Sequence, residues 1–363
     1  MTLPARWSLG VAALALLATA ALVFVGASVS DAAHARREAG TFLARPSPPA
    51  PVRTAGAASA LPADAEVPGV TRGRRHSSME ALLRPLLVEP PLRAGVFGLD
   101  MASGAFFDLS GGQSFSAASL IKIPVAAALL AAVDAGAVSL DESLQMDASD
   151  IGGGSGSLQY FPVGSRFTVK RLAELMIRRS DNTATNMLIE RLGGNGALNA
   201  SFAGWGLSCT QLRTPLPDMA GTNTTSPRDL VTVLQRVIGD RWLRPASREL
   251  LLSWMRRSHV RSLLPAGVGK GSRVANKTGD IPGALGDAGL VEAPGGRCYL
   301  LAVQVERPRN SHRANELIRG VSRQVYQSLT GLRAPQVTAR RPSRARASSR
   351  RASALAPRRA RAS

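Results

Sequence analysis

The 363 residues are 45% hydrophobic, 19% charged and 4% aromatic, with a formal charge of +20. That is enough apolar material for a core, so the chain is neither a charge-driven disordered protein nor a sheet that stacks RNA bases on exposed rings. Two cysteines, Cys209 and Cys298, exclude a zinc ribbon and a disulfide-stapled miniprotein, and His34, His76, His259 and His312 never fall at ligand spacing, so no metal site is expected.

The chain is uncharged from Leu9 to Val29, with Arg6 before that stretch and Asp31, Arg36, Arg37 and Glu38 after it, a length that spans a bilayer. It reads as a cleaved signal with Ser28-Val29-Ser30 as the small-x-small site, or as an uncleaved anchor, the anchor slightly favoured. Either way residues 1–35 direct the main domain out of the cell, to the envelope or beyond it, and the membrane is a partner. Residues 36–75, with the run Arg45-Pro46-Ser47-Pro48-Pro49-Ala50-Pro51, form a linker. Folded-domain periodicities then occupy residues 76–330.

Ser77-Ser78-Met79-Glu80 opens a helix with Ser77 as its expected N-cap, stopping by Glu89-Pro90-Pro91. Ala94 to Asp100 and Ala105 to Leu109 read as a hairpin around Met101-Ala102-Ser103-Gly104. Helical segments dominate from Leu120 to Arg257. Strands return at Ser272 to Thr278, Gly286 to Glu292 and Arg297 to Glu306, and a last helix runs from His312 to Leu329 with Ala314, Leu317, Ile318, Val321 and Val325 as its apolar stripe. Strands from both ends of this order join one antiparallel sheet, and the middle block makes a helical lobe. This is an α+β fold in the broad α/β class, with its site in the cleft between sheet and lobe. Residues 331–363 carry 10 Arg and no acid, against 27 bases and 21 acids over residues 76–330. This low-complexity stretch reads as a disordered tail, either solvated without a ligand or drawn to anionic envelope polymers and lipid headgroups; no specific nucleic acid is expected.

Lysine usage points to the chemistry. Among 41 Arg there are only four lysines, Lys122, Lys170, Lys270 and Lys277, which marks them as candidates for tasks a guanidinium cannot do, such as losing a proton near neutrality. Ser119-Leu120-Ile121-Lys122 opens an apolar helix, Ile123 to Val133, so the amine rises beside the Ser119 hydroxyl on one face, at a helix N-terminus. With no other charge from Leu120 to Val133, Lys122 is expected to be buried, and burial together with a second cation would free its lone pair. Ser180-Asp181-Asn182 lies at a helix–helix junction, where the plain alternative is an N-cap cluster. Lys277-Thr278-Gly279 closes a strand.

Taken in order, Ser-x-x-Lys, Ser-Asp-Asn and Lys-Thr-Gly, with first positions 61 and then 97 residues apart, resemble the motif set of class A β-lactamases and penicillin-binding proteins. Ser180 to Asn186, Leu192-Gly193-Gly194 and Thr224-Thr225-Ser226-Pro227-Arg228 extend the likeness, which covers residues 76–330. The resemblance implies a five-stranded antiparallel sheet flanked by helices beside an all-helical lobe, and a serine acyl hydrolase acting on β-lactams without metal or organic cofactor. It implies Ser119 as nucleophile, Lys122 as base and Ser180 as proton donor to the leaving nitrogen. Asn182 would hold Lys122 and the substrate's amide, Lys277 and Thr278 would take the substrate carboxylate, and Gly279 would let substrate approach the strand edge. The backbone N–H groups of Ser119 and Asp280 would form the oxyanion hole.

The chain departs from that family in one loop. Between Leu192 and Pro227 the only acid is Asp218, with no glutamate to activate the deacylating water. Asp218 is expected to be a turn aspartate rather than a poor substitute, so acylation survives and hydrolysis slows. A D-alanyl-D-alanine peptidase or esterase on the same fold, or a non-enzymatic β-lactam sensor or wall-binding module, stay open as alternatives. Gly152 to Ser157 does not end a strand as a dinucleotide fold requires and reads as a mobile loop at the cleft rim. Gly269-Lys270-Gly271-Ser272 lacks the Ser or Thr that a phosphate loop places directly after Lys. Tyr160 reads equally as a cleft wall or a core tyrosine, and pairing of Cys209 with Cys298 is left open.

Overall fold

The computed structural model describes residues 73–239 and 242–334. The signal or anchor segment, nearly all of the linker and most of the Arg-rich tail lie outside the described residues. Among those described, no helix is long and apolar enough to cross a membrane.

Strands β1 (Arg93–Asp100), β2 (Phe106–Leu109), β7 (Arg273–Ile281), β8 (Ala284–Glu292) and β9 (Cys298–Glu306) form a five-stranded sheet in the order β2-β1-β9-β8-β7, antiparallel throughout, while the short strands β3 (Phe115–Ser116) and β6 (Thr224–Thr225) pair with each other, as do β4 (Ser143–Gln145) and β5 (Arg166–Thr168). Strands β1, β8 and β9 are buried almost end to end because the sheet is covered on both faces, and β7 keeps even Asn276, Lys277 and Thr278 buried. Along β9, Leu300 and Ala302 face one core while Tyr299, Leu301, Val303 and Val305 face the other. Helices α1 (Ser77–Leu87) and α8 (Arg313–Thr330) cover the second face, α8 through Ala314, Leu317, Ile318, Val321 and Val325. The N-cap of α1 is His76, not Ser77: its Nδ1 accepts from Met79 N at 3.2 Å, and Ser78 Oγ lies 3.1 Å from the same nitrogen. An imidazole one residue earlier does what a hydroxyl was expected to do.

The first face packs on the helical lobe. Its central element is α2 (Lys122–Asp134), whose residues from Lys122 to Leu130 are all buried. A helix apolar on every side belongs in the middle of a bundle. Around it stand α3 (Val169–Arg178), α4 (Asn182–Arg191), α5 (Gly194–Gly204), α6 (Pro227–Ile238) and α7 (Pro245–Arg256). Thr168 caps α3 and Ser226 caps α6 through their side chains. Cys209 and Cys298 are both free thiols.

β7 is an edge strand, paired with β8 alone in the sheet, and its free side runs past the 3₁₀ turn Ala118–Ile121 that leads into α2. The fit is close. A Cβ at Gly279 would stand 2.9 Å from Ala117 O and 3.0 Å from Leu120 Cγ, and one at Gly286 would stand 2.7 Å from Leu120 Cδ1. Gly279 is therefore required by the packing of strand against turn. That is a different reason from the expected one, room for substrate.

Candidate active site

Ser119 sits in the 3₁₀ turn, half-buried, just ahead of α2. The residue before it, Ala118, has φ +43°, in the left-handed region that costs an alanine about 1–2 kcal/mol. The neighbouring Ala117 N donates to Asn223 O at 2.8 Å and Leu120 N closes the turn onto Ala117 O at 2.9 Å, so surrounding contacts hold the bend.

Lys122 follows one turn later and is completely buried. Its Nζ lies 3.0 Å from Ser119 Oγ, 3.1 Å from Ser180 Oγ, 2.7 Å from Ser180 O and 2.7 Å from Asn182 Oδ1. Ser180 presents both its carbonyl and its hydroxyl to the amine because its backbone is also left-handed, at φ +57°. Ser180 Oγ in turn donates to Ser119 Oγ at 2.7 Å and accepts from Lys277 Nζ at 3.1 Å. Lys277, from β7, is 1% exposed and also donates to Thr278 O at 2.6 Å. Residues from three separated stretches thus meet around two serine oxygens.

The family follows from this convergence and from sequence: the profile described as "Beta-lactamase enzyme family" matches residues 79–329. The chain belongs to that family. A β-lactamase of Streptomyces cellulosae is 29% identical over 265 residues, covering 70% of this chain and 82% of that protein. The solved structure of PBP-A is 46% identical with a TM-score of 0.71, covering 72% of this chain and all of that one, and a PBP-A mutant has been solved as an acyl-enzyme complex with penicillin G. An ancestral class A β-lactamase, the GNCA protein reconstructed for Gram-negative bacteria, is 31% identical with a TM-score of 0.64, covering 69% of this chain and 99% of that one. The five-stranded sheet and helical lobe are the β-lactamase fold, and this is a serine acyl-enzyme of the β-lactamase and penicillin-binding family.

Within this β-lactamase-family site, electrostatics favour a neutral Lys122. Burial lowers its pKa well below the usual 10.5, and the positive charge of Lys277 lowers it further, against a weaker opposing pull from Asp181. Burial also brings Lys277 down to about 7, opposed by Asp287 across the sheet, which burial raises to about 7. Asp287 is held by Asn276 Nδ2 at 2.9 Å and Leu264 N at 3.0 Å. Donor geometry agrees with the electrostatics. A neutral amine has two N–H bonds and one lone pair. Two acceptors at 2.7 Å, Ser180 O and Asn182 Oδ1, take the N–H bonds, and the lone pair is left for a serine hydroxyl. The Asn182 amide cannot turn around without loss, because its Nδ2 donates to Gly153 O at 2.7 Å.

Asp181, between the two site residues, caps α4. Its Oδ1 accepts from Ala184 N at 2.9 Å and its Oδ2 from Ser157 N at 2.7 Å and Leu158 N at 3.0 Å. The N-cap reading of this cluster is therefore true of Asp181, while Ser180 and Asn182 face the amine. The glycine-rich segment 152–157 is tied to the site by these bonds and by Asn182 N to Ser155 O at 3.0 Å. Gly156, at φ +100°, leaves no room for a Cβ, which would lie 2.2 Å from Asp181 Cγ.

The side chains of the other expected site residues make no hydrogen bond to Ser119, Lys122 or Ser180 among the described residues. Asp218 is 4% exposed, and its carboxylate accepts from Asn223 N at 2.6 Å and Thr222 Oγ1 at 3.2 Å, a turn role that gives it no bond to Ser119, Lys122 or Ser180. In the same loop, Asn186 of α4 grips the backbone of Leu216 at both ends, Nδ2 to Leu216 O at 2.8 Å and Leu216 N to Oδ1 at 2.9 Å, so the pinned residue is apolar. Tyr160 is 81% exposed, which excludes the core alternative. Thr278 is buried on β7, and its hydroxyl has no protein hydrogen bond among the described residues. Asp280 carries an exposed side chain paired with Arg307, a partner its motif does not signal. Among the described residues no group of His, Cys, Asp or Glu is arranged to hold a metal ion.

Proposed function

We propose that this enzyme opens β-lactam rings by acylation at Ser119 and releases the acyl group slowly. The contact that carries the reading is the buried Lys122 amine 3.0 Å from Ser119 Oγ. As Ser119 Oγ bonds to the lactam carbonyl carbon, its proton passes to Lys122 Nζ and the carbonyl electrons move onto oxygen, which the N–H groups of Ser119 and Asp280 receive. The C–N bond then breaks. The nitrogen takes a proton from Ser180 Oγ, which recovers one from the Lys122 ammonium 3.1 Å away. Lys277 and the Thr278 hydroxyl receive the substrate carboxylate. Slow release is supported by the bonds that occupy Asp218 and by a leucine at the residue Asn186 grips.

A second reading, a D-alanyl-D-alanine peptidase, is favoured by one observation: PBP-A is 46% identical to this chain, against 31% for the ancestral class A β-lactamase. With excess nitrocefin the proposal expects a fast burst of about one equivalent followed by slow turnover. Fast steady turnover without a burst would overturn slow release, and cleavage of an acyl-D-Ala-D-Ala peptide would favour the peptidase. Export through residues 1–35 belongs to the same proposal, supported by the uncharged Leu9–Val29 segment.

Acylation is expected to fall as pH rises and Lys277 loses its proton through about 7, because the charge that receives the substrate carboxylate goes with it. Lys277→Arg, whose guanidinium stays charged, is expected to remove that fall; stopped-flow acylation across pH measures it.

A further inference from the structure

Asp280 lies two residues beyond Thr278 on β7, so the two side chains leave the strand on the same face. Its carboxylate is 63% exposed, whereas the Arg307 side chain paired with it is 4% exposed. Arg307 is fixed at the end of β9: its N donates to Gly283 O at 2.9 Å in the turn joining β7 to β8, and its Nη2 to Ile281 O at 3.1 Å as well as to Asp280. Its Nε is buried without a hydrogen-bond partner among the described residues. A buried cation is thus held against an acid that would otherwise repel any anion seated beside the Thr278 hydroxyl.

We infer that the Asp280–Arg307 pair sets the charge of the pocket beside Thr278 and so governs admission of acyl donors that carry a carboxylate. The inference rests on the proposed roles of Ser119 and Thr278. An unpaired Asp280 opposes a substrate carboxylate at short range, and a paired one is close to neutral toward it.

The test compares acylation by benzylpenicillin with acylation by its methyl ester, which has the same ring and no carboxylate, using the rate of adduct formation on the full chain. Arg307→Gln is expected to lower the acid-to-ester rate ratio about tenfold to a hundredfold, the scale of one uncompensated nearby charge. Asp280→Asn, which removes no buried group, is expected to raise that ratio about threefold to tenfold, and adding it to Arg307→Gln is expected to restore the ratio. If Arg307→Gln does not fold, Asp280→Asn alone decides. A ratio that neither variant moves would overturn the inference, as would Asp280→Asn lowering it. Wild-type protein acylated by neither compound would instead remove the Ser119 assignment, and this inference with it.

Discussion

Lys122→Arg is expected to slow acylation of Ser119 by about 10³-fold or more, the upper range for loss of a positioned general base. The native amine offers a lone pair to Ser119 while two fixed acceptors take its protons. A guanidinium has no lone pair to offer and cannot shed its charge in a protein. Lys277→Arg, also a buried site, is expected to cost only about tenfold, because a charge suffices there. Adduct formation followed by intact mass measures both, with thermal melting of each variant as the check on folding. Equal losses at the two positions would remove the distinction between a lysine that must lose its proton and one that must keep it.

Asp181→Ala is expected to destabilise the fold by about 3–4 kcal/mol, since a completely buried carboxylate there accepts three backbone N–H groups and alanine orphans them all. Two of those groups belong to residues 157 and 158, so segment 152–158 would loosen, and with it the carbonyl of Gly153 that orients Asn182. Urea unfolding measures the loss, and acylation is expected to weaken alongside it. Asp181→Asn, which keeps acceptor capacity at one oxygen, is expected to lose less. If Asp181→Ala unfolds at the wild-type urea midpoint, the carboxylate does not anchor the loop.

Much of the architecture is legible in the chain because its elements are strongly patterned. The hairpin at residues 93–109, the three late strands and the stripe on α8 are all runs whose period matches their burial. The motif residues are legible for two reasons: Ser119, Lys122, Ser180 and Asn182 stand at element boundaries, where polar side chains stand out, and Lys277, in the middle of β7, is one of only four lysines. Other features leave no such trace. The left-handed backbone of Ala118 is invisible because alanine does not signal it, and the same bend at Ser180 hides behind a residue already noted for its hydroxyl. His76 as the cap of α1 depends on an imidazole imitating a hydroxyl, a substitution that cap preferences rank low. Arg307 is one of 41 arginines, and only the strand register brings it to Asp280. Asp287 is half-legible: an acid alone in an apolar strand implies a buried partner, although not which one.

The scarcity of lysine also makes the central claim measurable. Protein labelled with ¹³C at the lysine ε-carbon has four signals, from Lys122, Lys170, Lys270 and Lys277, and Lys122→Arg identifies the first by deleting it. As pH is raised, the Lys122 signal is predicted to pass from the ammonium to the neutral-amine position well below 10.5, because burial and the charge of Lys277 disfavour its charged form. A Lys122 signal that titrates only near 10.5 would contradict the account.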